Sequence, residues 1–328
     1  MTLHHPTAAK RLLLATLTSV CGCQLKLEPE PSLQQLGPRV RVLAMQSDPA
    51  DVIPGDSVRL RALVHEHCDD GEPVEYAWSW CPLRDEVGLE CAFDEAALAE
   101  AWDTLGLGGA PPPFDLGDSP EPTVWNVLSS DVTQALCARY DGSTQRCFDE
   151  IGLSIRLTVR QCGNEDTALR LLPVPADPSD RNSNPDPSGS IGFRHADRDA
   201  AVSADALVRG ENYIARSEFD IPIDCDGQDA ASPCQAELLG STDQREEVRS
   251  TWFLTHGAPF REEATQGAAG LSTDINGYGL PDPAESFVVL EDEDSSGAAR
   301  AYIVVQDERG GVGWAMHTFT VVEPEEGS

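Results

Sequence analysis

From residue 39 onward the chain is written in short alternations of apolar and polar side chains, broken by turn-forming residues. Val40, Val42 and Ala44 alternate with polar or charged neighbours, then Asp48-Pro49 and Pro54-Gly55-Asp56 turn the chain. Val58, Leu60, Ala62 and Val64 alternate with Arg59, Arg61 and Leu63, which predicts a second strand with one wet face. Val74, Tyr76, Trp78 and Trp80 predict a third, and Leu153, Ile155, Leu157 and Val159 a later one. A strand, a Pro-Gly-Asp turn, a strand and then a strand carrying tryptophan is how an immunoglobulin-like sandwich begins, the indole filling the space between sheets.

Residues 82-150 are too long for a simple strand connection, and their periodicity changes. Glu95 to Leu105 places Leu98, Trp102 and Leu105 on one helical face behind Asp94 as an N-cap, and Ser130 to Tyr140 is a second helix candidate. The fold class expected is therefore mainly β: tandem immunoglobulin-like β-sandwich domains, the first, over 39-172, with a partly helical, disulfide-pinned insertion at 82-150. That insertion is the first place to look for a binding surface. Residues 173-190 have the proline and small-polar composition of an extended linker. A second sandwich is expected over 191-323, with Trp252 in the strand Val248 to Leu254, a middle strand at Ser286 to Leu290 and a closing hairpin from Ala301 to Val322, before an acidic tail at 324-328.

At the other end of the chain, Lys10-Arg11 precedes the apolar run Leu12 to Val20, the pattern of a secretory signal at 1-22. The run is too short for a membrane span, which needs about 20 apolar residues. It ends Val20-Cys21-Gly22-Cys23, which resembles the lipobox of bacterial lipoproteins, with Gly22 before the acceptor Cys23. The resemblance implies lipidation of Cys23, a membrane partner through the acyl anchor and a tether at 23-38. Gln24, where the family's inner-membrane signal would be Asp, implies outer-membrane delivery. The competing reading is an ordinary cleaved signal with both cysteines incidental.

The opening Val40 to Trp80 and the ending Val304 to Trp314 are similar to the PKD-like and immunoglobulin-like modules of large myxobacterial-type outer-membrane lipoproteins. That resemblance implies fold and envelope location and carries no catalytic residues.

Ten cysteines, less Cys21 and Cys23, leave eight, an even number that in an exported chain points to disulfides. Eight cysteines permit 105 connectivities. Spacing favours Cys81-Cys91, Cys137-Cys147 and Cys225-Cys234, which leaves Cys68-Cys162, and the strand assignments put that last pair at one end of the first sandwich. The formal charge is −33, and losing Lys10 and Arg11 makes it −35 (21 basic against 56 acidic residues). Such a balance repels nucleic acid and anionic lipid. With only two lysines and a high Ala, Gly and Pro content, the composition is expected from a GC-rich genome or a salty habitat, where screening relieves self-repulsion, and a calcium-loaded surface competes with both.

Candidate chemistry is sparse. His65-Glu66-His67-Cys68-Asp69-Asp70 is the one dense group of potential metal ligands, yet it reads equally as a strand-to-loop step before a disulfide. Gly55-Asp56-Ser57 resembles the nucleophile block of some esterases, but it is a turn entering an alternating strand. Asp274 and Asn276, with Asp292 and Asp294, are weak calcium candidates, since Tyr278 at the fifth position departs from the EF-hand loop. No catalytic residue and no cofactor is assigned. The expected role is binding, adhesive or structural within the cell envelope, toward an envelope protein or a polysaccharide. The alternatives are a hydrolase with its site in 82-150 and an accessory subunit of an envelope complex.

Overall fold

The computed structural model describes residues 36, 39-66, 68, 71-84, 90-172, 182-185, 191-195, 205-209, 211-216, 223-224, 235-236, 248-255, 257-259, 275-276, 280-281, 284-289, 298-307 and 310-324. The first sandwich is built from β1 (Arg41–Asp48), β2 (Ser57–His65), β3 (Glu75–Cys81), α1 (Glu95–Thr104), β4 (Asp115–Gly117), β5 (Thr123–Trp125), α2 (Ser130–Cys137), α3 (Thr144–Glu150), β6 (Leu153–Gln161) and β7 (Asn164–Leu172). One sheet runs β1-β2-β5 and the facing sheet β4-β3-β6-β7, with antiparallel pairing throughout. This is an immunoglobulin-like sandwich. Apolar residues recur at every second position because one face of each strand is buried, so Val58 and Leu60 meet Trp78, Trp80, Leu153, Ile155, Leu157 and Val159 in one core. Trp80 lies opposite Ile155 and Trp78 opposite Leu157, which fixes the β3–β6 register.

The 82-150 region both completes the sandwich and decorates it. Its β5 pairs with β2 and its β4 with β3, and the helices fill the space around them. Each helix starts where a side chain accepts a backbone N–H: Asp94 from Ala97 at 2.7 Å, Ser129 from Val132 at 3.4 Å and Ser143 from Arg146 at 3.4 Å. Leu98, Ala101 and Trp102 of α1 and Val132 and Leu136 of α2 face the core.

The second sandwich comprises β8 (Gly192–His195), β9 (Ala206–Val208), β10 (Asn212–Arg216), β11 (Ile223–Asp224), β12 (Gln235–Ala236), β13 (Val248–Leu254), β14 (Gly257–Pro259), β15 (Ile275–Asn276), β16 (Leu280–Pro281), β17 (Ala284–Val289), β18 (Ala298–Asp307) and β19 (Val312–Val322). Its sheets run β14-β17-β10-β8 and β13-β18-β19-β9, with β9 parallel to β19. The pairs β11–β12 and β15–β16 are separate two-stranded ladders. Phe193, Tyr213 and Ala215 from one sheet meet Trp252, Ile303, Val305 and Phe319 from the other in a second core. The chain is thus mainly β, with two immunoglobulin-like sandwiches and helices confined, among the described residues, to the first.

A third apolar cluster joins them. Leu36, Ala44 and Leu63 pack with Tyr302, Val304 and Val312, flanked by Leu43, Phe253 and Trp314. The register shift between Val42 and Ala44 explains how β1 takes part. One extra residue at Leu43 breaks the alternation expected from Val40 to Ala44, so Val40 and Met45 enter the first core while Ala44 faces the second sandwich. Leu63, on the expected wet face of β2, is covered by the same contact. Leu36 adds a backbone bond, its N–H donating to the Leu254 carbonyl at 2.9 Å.

Candidate functional site

A cavity of 520 Å³ opens at the junction, lined by Gln46, Asp48, Pro49 and Ala50 at the end of β1, Arg61 of β2, residues 182-185, and Trp314 of β19. Four stretches distant in sequence meet there because β1 and β19 face each other and the segment between the sandwiches crosses the gap. Residues 182-185 lie within the expected linker and are bonded on both sides. The Asn182 N–H donates to Asp51 Oδ2 at 2.8 Å, and its Nδ2 reaches both carboxylate oxygens of Asp307 at 3.0 Å. Asn184 Nδ2 donates to the Ser47 carbonyl at 2.7 Å, and its Oδ1 accepts from the Val312 N–H at 2.9 Å. Each asparagine amide therefore ties the first sandwich, or the strap itself, to the second.

The floor is held in the same way. Gln46, a buried amide, accepts from Arg61 Nη2 at 2.5 Å and donates to the Val312 carbonyl. Arg170 of β7 donates to the carbonyls of Met45 and Gly310, one in each sandwich. Burial lowers the pKa of its guanidinium to about 10, and the Asp307 charge offsets part of that. It still carries its proton at neutral pH and acts as a charged tie. The Gly311 N–H, at 2.6 Å from Asp307 Oδ1, closes the β18–β19 turn onto the same carboxylate. A substituent at Gly311 would collide with Asp307 Oδ2, which explains glycine there. Toward the other end of the β1–β2 pair, His65 Nδ1 and the Tyr302 hydroxyl are 3.3 Å apart, both buried between the sandwiches. Burial raises the Tyr302 pKa, Arg300 opposes this and Glu66 adds to it.

The sequence-predicted residues lie elsewhere. Cys68 and Cys162 are joined, with Cα atoms 6.3 Å apart, as are Cys81 and Cys91 at 5.8 Å and Cys137 and Cys147 at 5.5 Å. Glu72 stands beside the first pair, its Oε2 being 3.3 Å from Cys162 Sγ. Sulfurs committed to a disulfide present no thiolate to a metal. Cys225 and Cys234 fall outside the described residues, as do Cys23, His67, Asp274, Asp292 and Asp294; Asn276 is placed on β15, with its side chain undescribed. Gly55 makes the turn with φ +93°, and Ser57 begins β2, so Gly55-Asp56-Ser57 is a strand entry with no strand-to-helix elbow. The 82-150 region does expose two aromatics, Trp125 at 42% and Phe148 at 43% accessibility, and Trp125 packs edge-on against Trp102, ring centres 6.0 Å apart.

Sequence reasoning passed over the cavity because its polar residues look like ordinary turn and linker composition. One signal was present in the unbroken run Ala301-Tyr302-Ile303-Val304-Val305, which no strand with a wet face carries.

Among the described residues no helix is long and apolar enough to cross a membrane. No family model matches the sequence, and no curated protein matches it. Solved structures similar to it include three N-terminal domains of the bacteriophage RB49 highly immunogenic outer capsid protein, at 9% identity and TM-score 0.23, covering 87% of this chain and 71% of that one. A Dscam isoform structure gives 8%, 0.22, 87% and 46% by the same measures, and murine CEACAM1b 8%, 0.20, 87% and 100%. Likeness at these TM-scores carries no argument, and the immunoglobulin-like assignment stands on the strand order and the two cores described above.

Proposed function

We propose that this is a cell-envelope binding protein, held at the outer membrane by a lipid on Cys23, that captures a ligand without converting it. The observation that supports capture is the junction cavity. Its walls are drawn from both sandwiches and fixed by bonds from Asn182, Asn184, Gln46 and Arg170. Preorganised walls spare a ligand the cost of ordering its site. The anchor is supported by the Val20-Cys21-Gly22-Cys23 sequence. Capture is tested by retention of the chain lacking residues 1-23 on isolated bacterial envelopes. Retention that Trp314→Ala abolishes is the expected result, and passage of the wild-type chain in the flow-through overturns capture. The anchor is tested separately, in a host with lipoprotein processing. Cys23→Ser should move the protein out of the membrane fraction, and unchanged acylation would remove the anchor.

A second reading, an accessory subunit of an envelope complex, is supported by the exposed Trp125. Trp125→Ala should then leave the cavity's ligand bound while releasing the complex.

A further inference from the structure

We infer that the junction cavity is a saccharide site, in which the Trp314 indole meets the C–H face of a pyranose ring and the surrounding polar groups take its hydroxyls. The inference rests on the reading that the cavity binds a ligand, and it names that ligand's class.

The choice follows from what the walls have left to offer after holding themselves in place. Asn184 uses one donor and one acceptor on Ser47 and Val312, which leaves its other N–H and its other lone pair at fixed positions. Arg61 has one terminal nitrogen engaged on Gln46 and keeps donors on the other. Asp48 is exposed at the end of β1, and Ser183 adds a hydroxyl. Adjacent sugar hydroxyls each donate and accept, so fixed donors beside fixed acceptors match them. The half-buried Trp314 contributes an aromatic wall, beside the smaller apolar surfaces of Pro49, Ala50 and Pro185, in a lining whose remaining residues are polar, and a pyranose is polar at its rim and apolar on its faces.

Other classes fit less well. An apolar ligand would leave the spare Asn184 groups and the Asp48 carboxylate without partners in a dry contact, which costs affinity. An anion meets a chain of formal charge −33 and a carboxylate at the rim, with Arg61 already shared by Gln46. A divalent cation finds only Asp48 among the lining carboxylates, with a guanidinium beside it. The volume of 520 Å³ lies inside the roughly 300–1,000 Å³ range of small-ligand sites and suits a short stretch of oligosaccharide.

The test is retention of the chain lacking residues 1-23 on isolated bacterial envelopes that are untreated, oxidised with periodate to open vicinal diols, or digested with protease. Wild-type retention should fall at least tenfold on periodate-treated envelopes and persist on protease-digested ones. Trp314→Ala should lose at least tenfold on untreated envelopes, Trp314→Phe should restore part of it, and the exposed change Asp48→Asn should weaken it without altering thermal unfolding. Retention that survives periodate and disappears with protease overturns the saccharide assignment and leaves capture standing. Retention on none of the three surfaces overturns capture itself, and the two failures are thereby told apart.

Discussion

The central strands β6 and β18 occupy the same place in the two sandwiches, yet the outward face of β6 is polar and opens to solvent at two arginines, whereas that of β18 carries buried apolar and aromatic residues. Inward, each is apolar: Leu153, Ile155, Leu157 and Val159 on β6; Ala299, Ala301, Ile303 and Val305 on β18. Outward, β6 carries Ser154, Arg156, Thr158 and Arg160, with both arginines exposed to solvent. The corresponding positions on β18 include Tyr302 and Val304, which are only 1% and 2% accessible. The first sandwich covers them with Ala44 and Leu63. A strand between two sheets loses its alternation when both faces are dry, so the missing period is itself the record of a second contact.

This contrast can be attacked at four points. The largest effect is expected on the inward faces. Leu157→Ala and Ile303→Ala should each cost about 2–5 kcal/mol by leaving a cavity in a packed core, read by thermal or denaturant unfolding. Each should destabilise its own sandwich first, and one shared transition for both variants would show that the sandwiches unfold as a single unit. Outward substitutions separate the strands more sharply. Val304→Asp places a carboxylate against Ala44 and Leu63 and should weaken the junction by about 2–3 kcal/mol, roughly the burial of a valine lost. Small-angle scattering should then show a more extended molecule whose sandwiches remain folded. Arg156→Ala on the open face of β6 should stay within about 0.5 kcal/mol of wild type. Equal losses for those two variants would erase the distinction drawn above.

Asn182→Ala, which removes the amide bonds from the bridging segment to Asp307, should cost about 1–2 kcal/mol and speed proteolysis between residues 172 and 191. The smallest effect concerns pH. Burial holds the Tyr302 pKa above its ordinary value of about 10. The unfolded chain then releases that proton first, so the contribution of Tyr302 is complete below about pH 10 and is lost as pH rises toward the raised value. Tyrosinate absorbance followed alongside scattering should show the junction loosening in that window, and Tyr302→Phe should remove the dependence.

How much of this was legible in the sequence depended on whether a signal was local. Strands β1, β2, β3 and β6 announced themselves through alternation, α1 through Asp94 and the spacing of Leu98 and Trp102, and α2 as the candidate from Ser130 to Tyr140, because each pattern lies within one short window. β4 and β5, three residues each, are too short to carry a period, so their contribution to the sandwich was hidden inside what read as an insertion. The bulge at Leu43 is a property of β1 against β2 and cannot be seen in β1 alone. The cavity was least legible of all, since Gln46, Arg61, Asn184 and Trp314 become neighbours only when two sandwiches have already docked.

Leu36 gives the arrangement a mechanical meaning. Its N–H is bonded to Leu254 of the second sandwich, although β1, a few residues later, belongs to the first. A pull applied to the chain ahead of Leu36 therefore loads the seam between the sandwiches before it loads either core. That seam is also where the cavity lies, so the chain ahead of the first sandwich and the cavity walls share one load-bearing contact.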